Sequence, residues 1–134
     1  MFLGEYRTKF TGFGRVILPK KIREEILGTK FVLSRGFEGC VWGFTIEGWE
    51  NETKRQLEVS ATDETARKLR RYLFSGSETV ELDGQGRFVI PRGLVIYGKL
   101  GKEVVIIGAG DHFEVWNTLA WEEHLREIEK EYAR

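Results

Sequence analysis

The sequence is short of most residues that anchor specialised chemistry. It has one cysteine in 134 residues, Cys40. That excludes a disulfide framework and a thiolate metal cluster and leaves Cys40 to read as a small buried hydrophobe. Histidine occurs twice, at His112 and His124, without cysteine or carboxylate partners at metal-ligand spacing, so both are expected to be surface or strand residues and no metal or other cofactor is expected. Long apolar runs are missing too. The longest, Leu94-Val95-Ile96-Tyr97 and Val104-Val105-Ile106-Ile107, fall far short of the ~20 residues of a membrane span. Glu5 stands where a secretory leader would be basic and then apolar, and a cytoplasmic setting is the expectation. Net charge is zero, from 21 basic and 21 acidic side chains. No P-loop lysine or nucleophile–base set is present, and Phe113 breaks the spacing that would make Gly108-Ala109-Gly110 a dinucleotide fingerprint. An enzyme is therefore not expected.

What is present is a repeat. Thr11-Gly12-Phe13-Gly14-Arg15-Val16-Ile17-Leu18-Pro19 returns 72 residues later as Asp83-Gly84-Gln85-Gly86-Arg87-Phe88-Val89-Ile90-Pro91. The shared glycines, arginine, apolar triplet and proline indicate an internal duplication. Trp49 and Trp121, and Thr45 and Asn117, stand at the same spacing. The four tryptophans, Trp42, Trp49, Trp116 and Trp121, fall two to each half, with Trp49 and Trp121 at the repeat spacing, and are read as core.

Each half reads as strand, glycine turn, strand, proline-led short helix, two strands and a helix. In the first half the strands are predicted at 4–10, 15–18, 30–34 and 40–44. A short helix is predicted over 19–27, with Ile22, Ile26 and Leu27 inward, since proline suits the first helical position. Thr45 should cap a helix with Ile46, Trp49, Thr53 and Leu57 facing inward, and a second helix should run over 63–74 on Ala66, Leu69 and Leu73. The second half gives strands at 77–82, 87–90, 103–107 and 112–116, a helix from Pro91 closed by Gly98, and a last helix with Trp121, Leu125, Ile128 and Tyr132 inward. Four short strands cannot bury a core alone. The expected fold class is α+β, a small β-barrel closed by two halves about a pseudo-twofold, with flanking helices. It is expected to be one domain over 1–134, with a first repeat at 4–50, bridging helices at 51–75, a second repeat at 76–121 and the end of the C-terminal helix at 122–134.

The neutral total conceals an asymmetry. Residues 1–35 carry a net charge of +5, from Arg7, Lys9, Arg15, Lys20, Lys21, Arg23, Lys30 and Arg35 against three glutamates. Residues 111–134 carry −4. The first third suits a polyanion, although a solvated charged surface gives the same numbers. Arginine's planar fork matches guanine O6 and N7 in the major groove, or phosphate. A glycine turn brings backbone N–H groups close to a phosphate.

The Gly-x-Gly-Arg element with three apolar residues and proline resembles the signature of the AbrB-like swapped-hairpin proteins. The tandem copies, with Met1-Phe2-Leu3-Gly4-Glu5-Tyr6, Phe31-Val32-Leu33-Ser34-Arg35-Gly36 and Phe74-Ser75-Gly76, resemble the family within it that regulates the bacterial division and cell-wall gene cluster. The resemblance implies a DNA-binding transcriptional regulator, usually a repressor of its own operon. It implies binding to G-rich direct promoter repeats as a ring-shaped homo-oligomer on the nucleoid, with double-stranded DNA and further copies of itself as partners. The family's Asp-x-x-x-Arg motif is intact at Asp83 and Arg87, beside Gly86. In the first half Arg15 and Gly14 match, and Thr11 stands in place of the aspartate.

The candidate DNA-binding residues are Arg15, Arg87, Arg7, Lys9, Lys20, Lys21 and Arg23. Arg15 is the expected reader because Thr11 cannot ion-pair with it, whereas Arg87 suits either DNA or an internal ion pair with Asp83. An AbrB-like antitoxin that neutralises a toxin is the alternative from another class. Two motifs and an ordered-looking final helix count against it.

Overall fold

The computed structural model describes residues 1–12 and 14–132. In chain order its elements are β1 (Glu5–Lys9), β2 (Arg15–Ile17), α1 (Lys20–Arg23), β3 (Lys30–Arg35), β4 (Val41–Thr45), α2 (Ile46–Glu58), α3 (Glu64–Ser75), β5 (Glu78–Glu81), β6 (Arg87–Val89), α4 (Arg92–Tyr97), β7 (Glu103–Gly108), β8 (Phe113–Asn117) and α5 (Thr118–Tyr132). Sequence reasoning placed every one of them within a few residues, because turn chemistry and periodicity agree at each.

The halves interlock through their strands. The antiparallel main sheet runs β1-β7-β8-β4-β3-β5, so the first strand of each half pairs with the third strand of the other. The registers exchange between halves: Thr8 opposite Val104 answers Val80 opposite Phe31, and Tyr6 opposite Ile106 answers Glu78 opposite Leu33. The two central pairings, Trp42 with Glu114 and Val16 with Phe88, each join a residue to its own repeat counterpart.

The strands do not close into a hydrogen-bonded barrel among the described residues. β1 and β5 are the edges of an open six-strand sheet, and β2 and β6 form a separate two-strand ribbon. Each ribbon strand has only three residues. A single bridge, Phe10 to Val16, ties the ribbon to the chain leaving β1.

Both faces of the sheet are covered. On one face Val16, Leu18, Phe31, Leu33, Phe88, Ile90, Val104, Ile106 and Phe113 form the main core beneath the ribbon, α1 and α4. On the other, α5 lays Trp121 over Val105, Ile107 and Trp116, while α2 and α3 lay Trp49 and Leu73 over Val32 and Phe44. Burial on both faces is why β3 and β7 read as unbroken apolar runs.

The helices begin where their caps predict. Thr45 Oγ1 accepts from Gly48 N at 2.9 Å, Asp63 Oδ1 from Ala66 N at 3.1 Å and Asn117 Oδ1 from Ala120 N at 3.0 Å. Some interior assignments differ. α1 stops at Arg23, since Glu25 and Ile26 donate three residues back, to Ile22 and Arg23, tightening the chain into turns that bury Ile26 and leave Leu27 exposed. In α2 only Trp49 and Thr53 are buried. Ile46 and Leu57 face outward. Arg70 of α3 donates to the carbonyls of Gln56, Leu57 and Val59 and caps that end. Tyr132 was expected inward and is 81% exposed at the end of α5, whose buried residue is Trp121. α3 is tied to α4 by the Tyr72 and Tyr97 hydroxyls, 2.5 Å apart, with Tyr97 donating to Gly36 O and accepting from Tyr72.

His112, read as a surface or strand residue, stands directly before β8 and is half-buried. It occupies the repeat position of Cys40, stacks on Phe44 with ring centroids 5.1 Å apart and meets Trp42 edge-on. Its Nδ1 lies 2.7 Å from Asp111 Oδ1 and its Nε2 lies 2.8 Å from Glu114 Oε2. Burial pulls the imidazole pKa down, but the bonds to Glu114 and Asp111 outweigh it and hold the pKa above the ordinary value. Burial pushes the Glu114 carboxyl up, and the bonds from His112 and Trp116 more than reverse this, leaving it below its usual range. The signs fix a stability window. The histidine's contribution is complete below the unfolded-state value of about 6.5 and is lost as pH rises through the higher folded value. The carboxylate's is complete above its unfolded value of about 4.3 and is lost as pH falls through the lower folded one. Melting temperature is expected to fall as pH is raised from that window, and His112→Gln should flatten the alkaline side. A wild-type curve that is level from about pH 6 to 9 would refute the assignment.

Candidate nucleic-acid interface

The ribbon owes its two-sidedness to strand alternation. Val16 and Phe88, directly opposite each other, point inward and are buried. Arg15 and Ile17 on β2 and Arg87 and Val89 on β6 therefore share the outer face. In register Arg15 lies opposite Val89 and Ile17 opposite Arg87. The two arginines are diagonal neighbours, roughly 7–8 Å apart at their base. The duplicated motif thus does not make two remote turns. It makes one surface with an arginine from each half.

Each turn is closed in the same way by the backbone: Thr11 N donates to Arg15 O at 2.7 Å and Asp83 N to Arg87 O at 2.8 Å. Each is also locked to the other half, since Leu18 N donates to Gly86 O and Ile90 N to Gly14 O, both at 2.9 Å. Gly14 (φ 71°) and Gly86 (φ 76°) hold these positions in the left-handed region, which an L residue adopts only at a cost. Gly12 is also left-handed, at φ 80°. Gly84 is not: Asp83–Gly86 is a β-turn closed by Gly86 N to Asp83 O at 3.1 Å.

The side chains separate the turns further. Asp83 Oδ1 accepts from the N–H groups of Gln85 (2.8 Å) and Arg87 (2.9 Å), and Oδ2 accepts from Arg87 Nε at 2.9 Å. The Arg87 backbone bond, with those from Gln85 N and the guanidinium, holds the Asp83 carboxyl below its usual range. The brace uses Nε, and neither terminal nitrogen of Arg87 forms a hydrogen bond or ion pair among the described residues. Arg15 forms no ion pair among the described residues. Arg23 crosses from the first half to the second turn, where Nη1 donates to Gln85 O at 3.5 Å. It lies so close to Gly86 that a Cβ there would sit 1.6 Å from Nη1. The equivalent neighbour of Gly14 is Val95. One turn is buttressed by charge and the other by an aliphatic.

The remaining candidates divide. Lys20 and Lys21 are exposed on α1, directly after β2. Arg7 and Lys9 lie on the far face of the main sheet, toward α5, because Tyr6 and Thr8 take the face turned to the ribbon. Arg7 is held there by Glu122 at 3.0 Å and Glu103 at 3.5 Å. Its guanidinium pKa is raised chiefly by the bond to Glu122. Sequence reasoning missed these partners, which lie about a hundred positions away in the chain. It also missed the reach of Arg23. The only trace of that was the break in the repeat, arginine at 23 against valine at 95. No group of three or more metal-ligating side chains is assembled among the described residues, and no helix is long and apolar enough to cross a membrane.

Comparison with known proteins gives the same two-part division. The sequence model of one family, described as "MraZ protein, putative antitoxin-like", matches twice, over residues 1–72 and 73–133. A protein of Moorella thermoacetica named Transcriptional regulator MraZ is 39% identical over 132 residues, covering 98% of this chain and 92% of that protein. A protein of the same name from Dictyoglomus thermophilum is 46% identical over 127 residues, covering 95% and 86%. One from Acetivibrio thermocellus is 40% identical over 124 residues, covering 92% and 86%.

Proposed function

The chain belongs to the MraZ family, a family of non-enzymatic regulators, and on that premise we propose that it is a sequence-specific DNA-binding transcriptional regulator whose β2–β6 ribbon enters the major groove. The observation that carries the reading is the single exposed face bearing Arg15 and Arg87. A two-strand ribbon fits the major groove, and arginine forks paired to guanine O6 and N7 supply readout there. Lys20 and Lys21 add phosphate contacts, which contribute affinity without sequence information. Arg23 keeps the second turn in shape. Arg7 stays with its two glutamates and Lys9 beside it, outside the interface.

One copy of this ribbon is too small for tight specific binding. The target is G-rich direct repeats in the promoter of the protein's own division and cell-wall operon. The protein acts there as a repressor, as a ring-shaped homo-oligomer on the nucleoid. Direct repeats suit a head-to-tail ring, in which successive subunits meet successive repeats in one orientation. The interlocked sheet supports treating 1–134 as one domain, since the first strand of each half pairs with the third strand of the other and β2 pairs with β6. Toxin binding is suggested only by the words "antitoxin-like" in the family's description, and no surface described above favours it.

Titration of a labelled duplex from upstream of the gene tests this. Tight binding is expected, with weak binding to a shuffled duplex and log K falling linearly with log salt. Equal affinity for both duplexes would sink the sequence-specific reading, and a monomer in light scattering would remove the ring.

A further inference from the structure

The ribbon carries two more residues on its outer face than phosphate binding would use. Ile17 is 44% exposed and Val89 is 47% exposed, although Val16 and Phe88 between them already fill the core side completely. Each aliphatic lies directly across the strand pair from an arginine, Ile17 opposite Arg87 and Val89 opposite Arg15. The outer face is thus a two-by-two pattern in which cation and aliphatic alternate in both directions, and the half-exchange that relates the repeats maps it onto itself. Directly opposed residues on such a ribbon are about 4.5–5.5 Å apart at Cβ. Successive bases along a strand are about 3.4 Å apart. A side chain beside a guanine-reading arginine therefore faces a base one or two steps away.

We infer that Ile17 and Val89 are sequence-determining residues that read the C5-methyl group of thymine next to the guanines taken by Arg87 and Arg15. The inference rests on the ribbon being the DNA-reading surface and adds what it reads. In the major groove thymine differs from the other bases by that methyl group, and apolar side chains are its usual readers. Both residues are β-branched and stiff at χ1, so little freedom is lost when they meet a fixed target. The flanking guanidiniums, with Lys20 and Lys21 beside them, match a partner that is apolar only in small spots and anionic everywhere else. A protein partner would offer the aliphatics a continuous apolar surface and leave the arginines unmatched.

The test uses the full chain and DNA alone. Duplexes are selected from a pool with a randomised core, and the winning duplex is resynthesised with deoxyuridine at each thymidine in turn, which removes one methyl group and leaves every charge and hydrogen-bonding group in place. At the thymidine beside each guanine contact the wild-type protein is expected to lose about four-fold in affinity, the worth of one buried methyl. Ile17→Ser should abolish the penalty at the positions it reads and Val89→Ser at the others, with thymine and uracil duplexes then bound alike. Ile17→Val should retain it. Circular dichroism of the serine variants establishes that they fold, and both side chains lie outside the core. Wild-type protein that binds the selected duplex and ignores deoxyuridine overturns the inference and leaves the DNA reading standing. A penalty that persists unchanged in both serine variants overturns it too. If selection enriches no sequence at all, the DNA reading itself fails.

Discussion

Replacing Phe113 by alanine is expected to lower the unfolding free energy by about 3–5 kcal/mol, read from denaturant or thermal unfolding. Phe113 is fully buried at the start of β8. Its ring meets Phe2 at 5.5 Å and Phe31 at 5.8 Å, so it joins the N-terminal segment to both halves of the interlocked sheet. The ring's Cζ end also lies against Gly43, its register partner on β4. A Cβ on Gly43 would fall 2.1 Å from Phe113 Cζ. The surrounding strands are paired on both sides and cannot collapse into the space the ring would leave, which puts the cost at the upper end of the range for such truncations. The converse change is a matched check. Gly43→Ala should destabilise by about 1–3 kcal/mol through overpacking, and by clearly less in a Phe113→Leu background, because the two positions share one volume. A loss below 1 kcal/mol for Phe113→Ala would show that the ring does not fill this space.

Gly43 illustrates what the sequence hides. The repeat, the caps and the alternation of short strands are local signals, and they placed all thirteen elements. A glycine within Val41-Trp42-Gly43-Phe44 signals a close approach without saying what approaches, because the partner is fixed only by the β4–β8 register. Partner choice in the sheet is non-local in the same way. The duplication implied interlocked halves, but that the strands leave an open sheet and a separate ribbon is set by which strand edges meet across the repeat. The site follows this pattern. Arg15, Arg87 and Asp83 were legible because the motif carries them. Their convergence on one face, the reach of Arg23 and the diversion of Arg7 to Glu103 and Glu122 come from pairings across the repeat. Tyr132 and Leu57 fit a helical stripe as well as Trp121 and Trp49 do. Periodicity gives the direction of a side chain and not whether anything is there to cover it.

Arg87→Ala is expected to weaken binding to the selected duplex by about a hundred-fold, and Arg15→Ala by about ten-fold, within the roughly 1–3 kcal/mol that one good arginine–guanine pair supplies. The sequence alone favours the opposite ranking, on the reasoning that an arginine paired with Asp83 is occupied. The geometry alters that reasoning. Asp83 engages only Nε, so Arg87 keeps its terminal nitrogens for a base and is held in place while it does so, which spares part of the ordering cost that Arg15 must meet on binding. Removing Arg87 also strands the Asp83 carboxylate. Its remaining bonds from the Gln85 and Arg87 backbone keep it ionised and facing a polyanion. Arg15 has no such partner to leave behind, since Thr11 is neutral. The extra loss should therefore vanish when Asp83→Thr is combined with Arg87→Ala, a change that makes the second turn resemble the first. The salt dependence should separate the two contributions. The slope of log K against log salt is expected to be shallowest for Arg87→Ala alone and to recover partly in the double variant. Fluorescence anisotropy at two salt concentrations measures all of this on one duplex. If Arg15→Ala proves the costlier substitution, the brace withdraws Arg87 from the groove and the first turn is the principal reader.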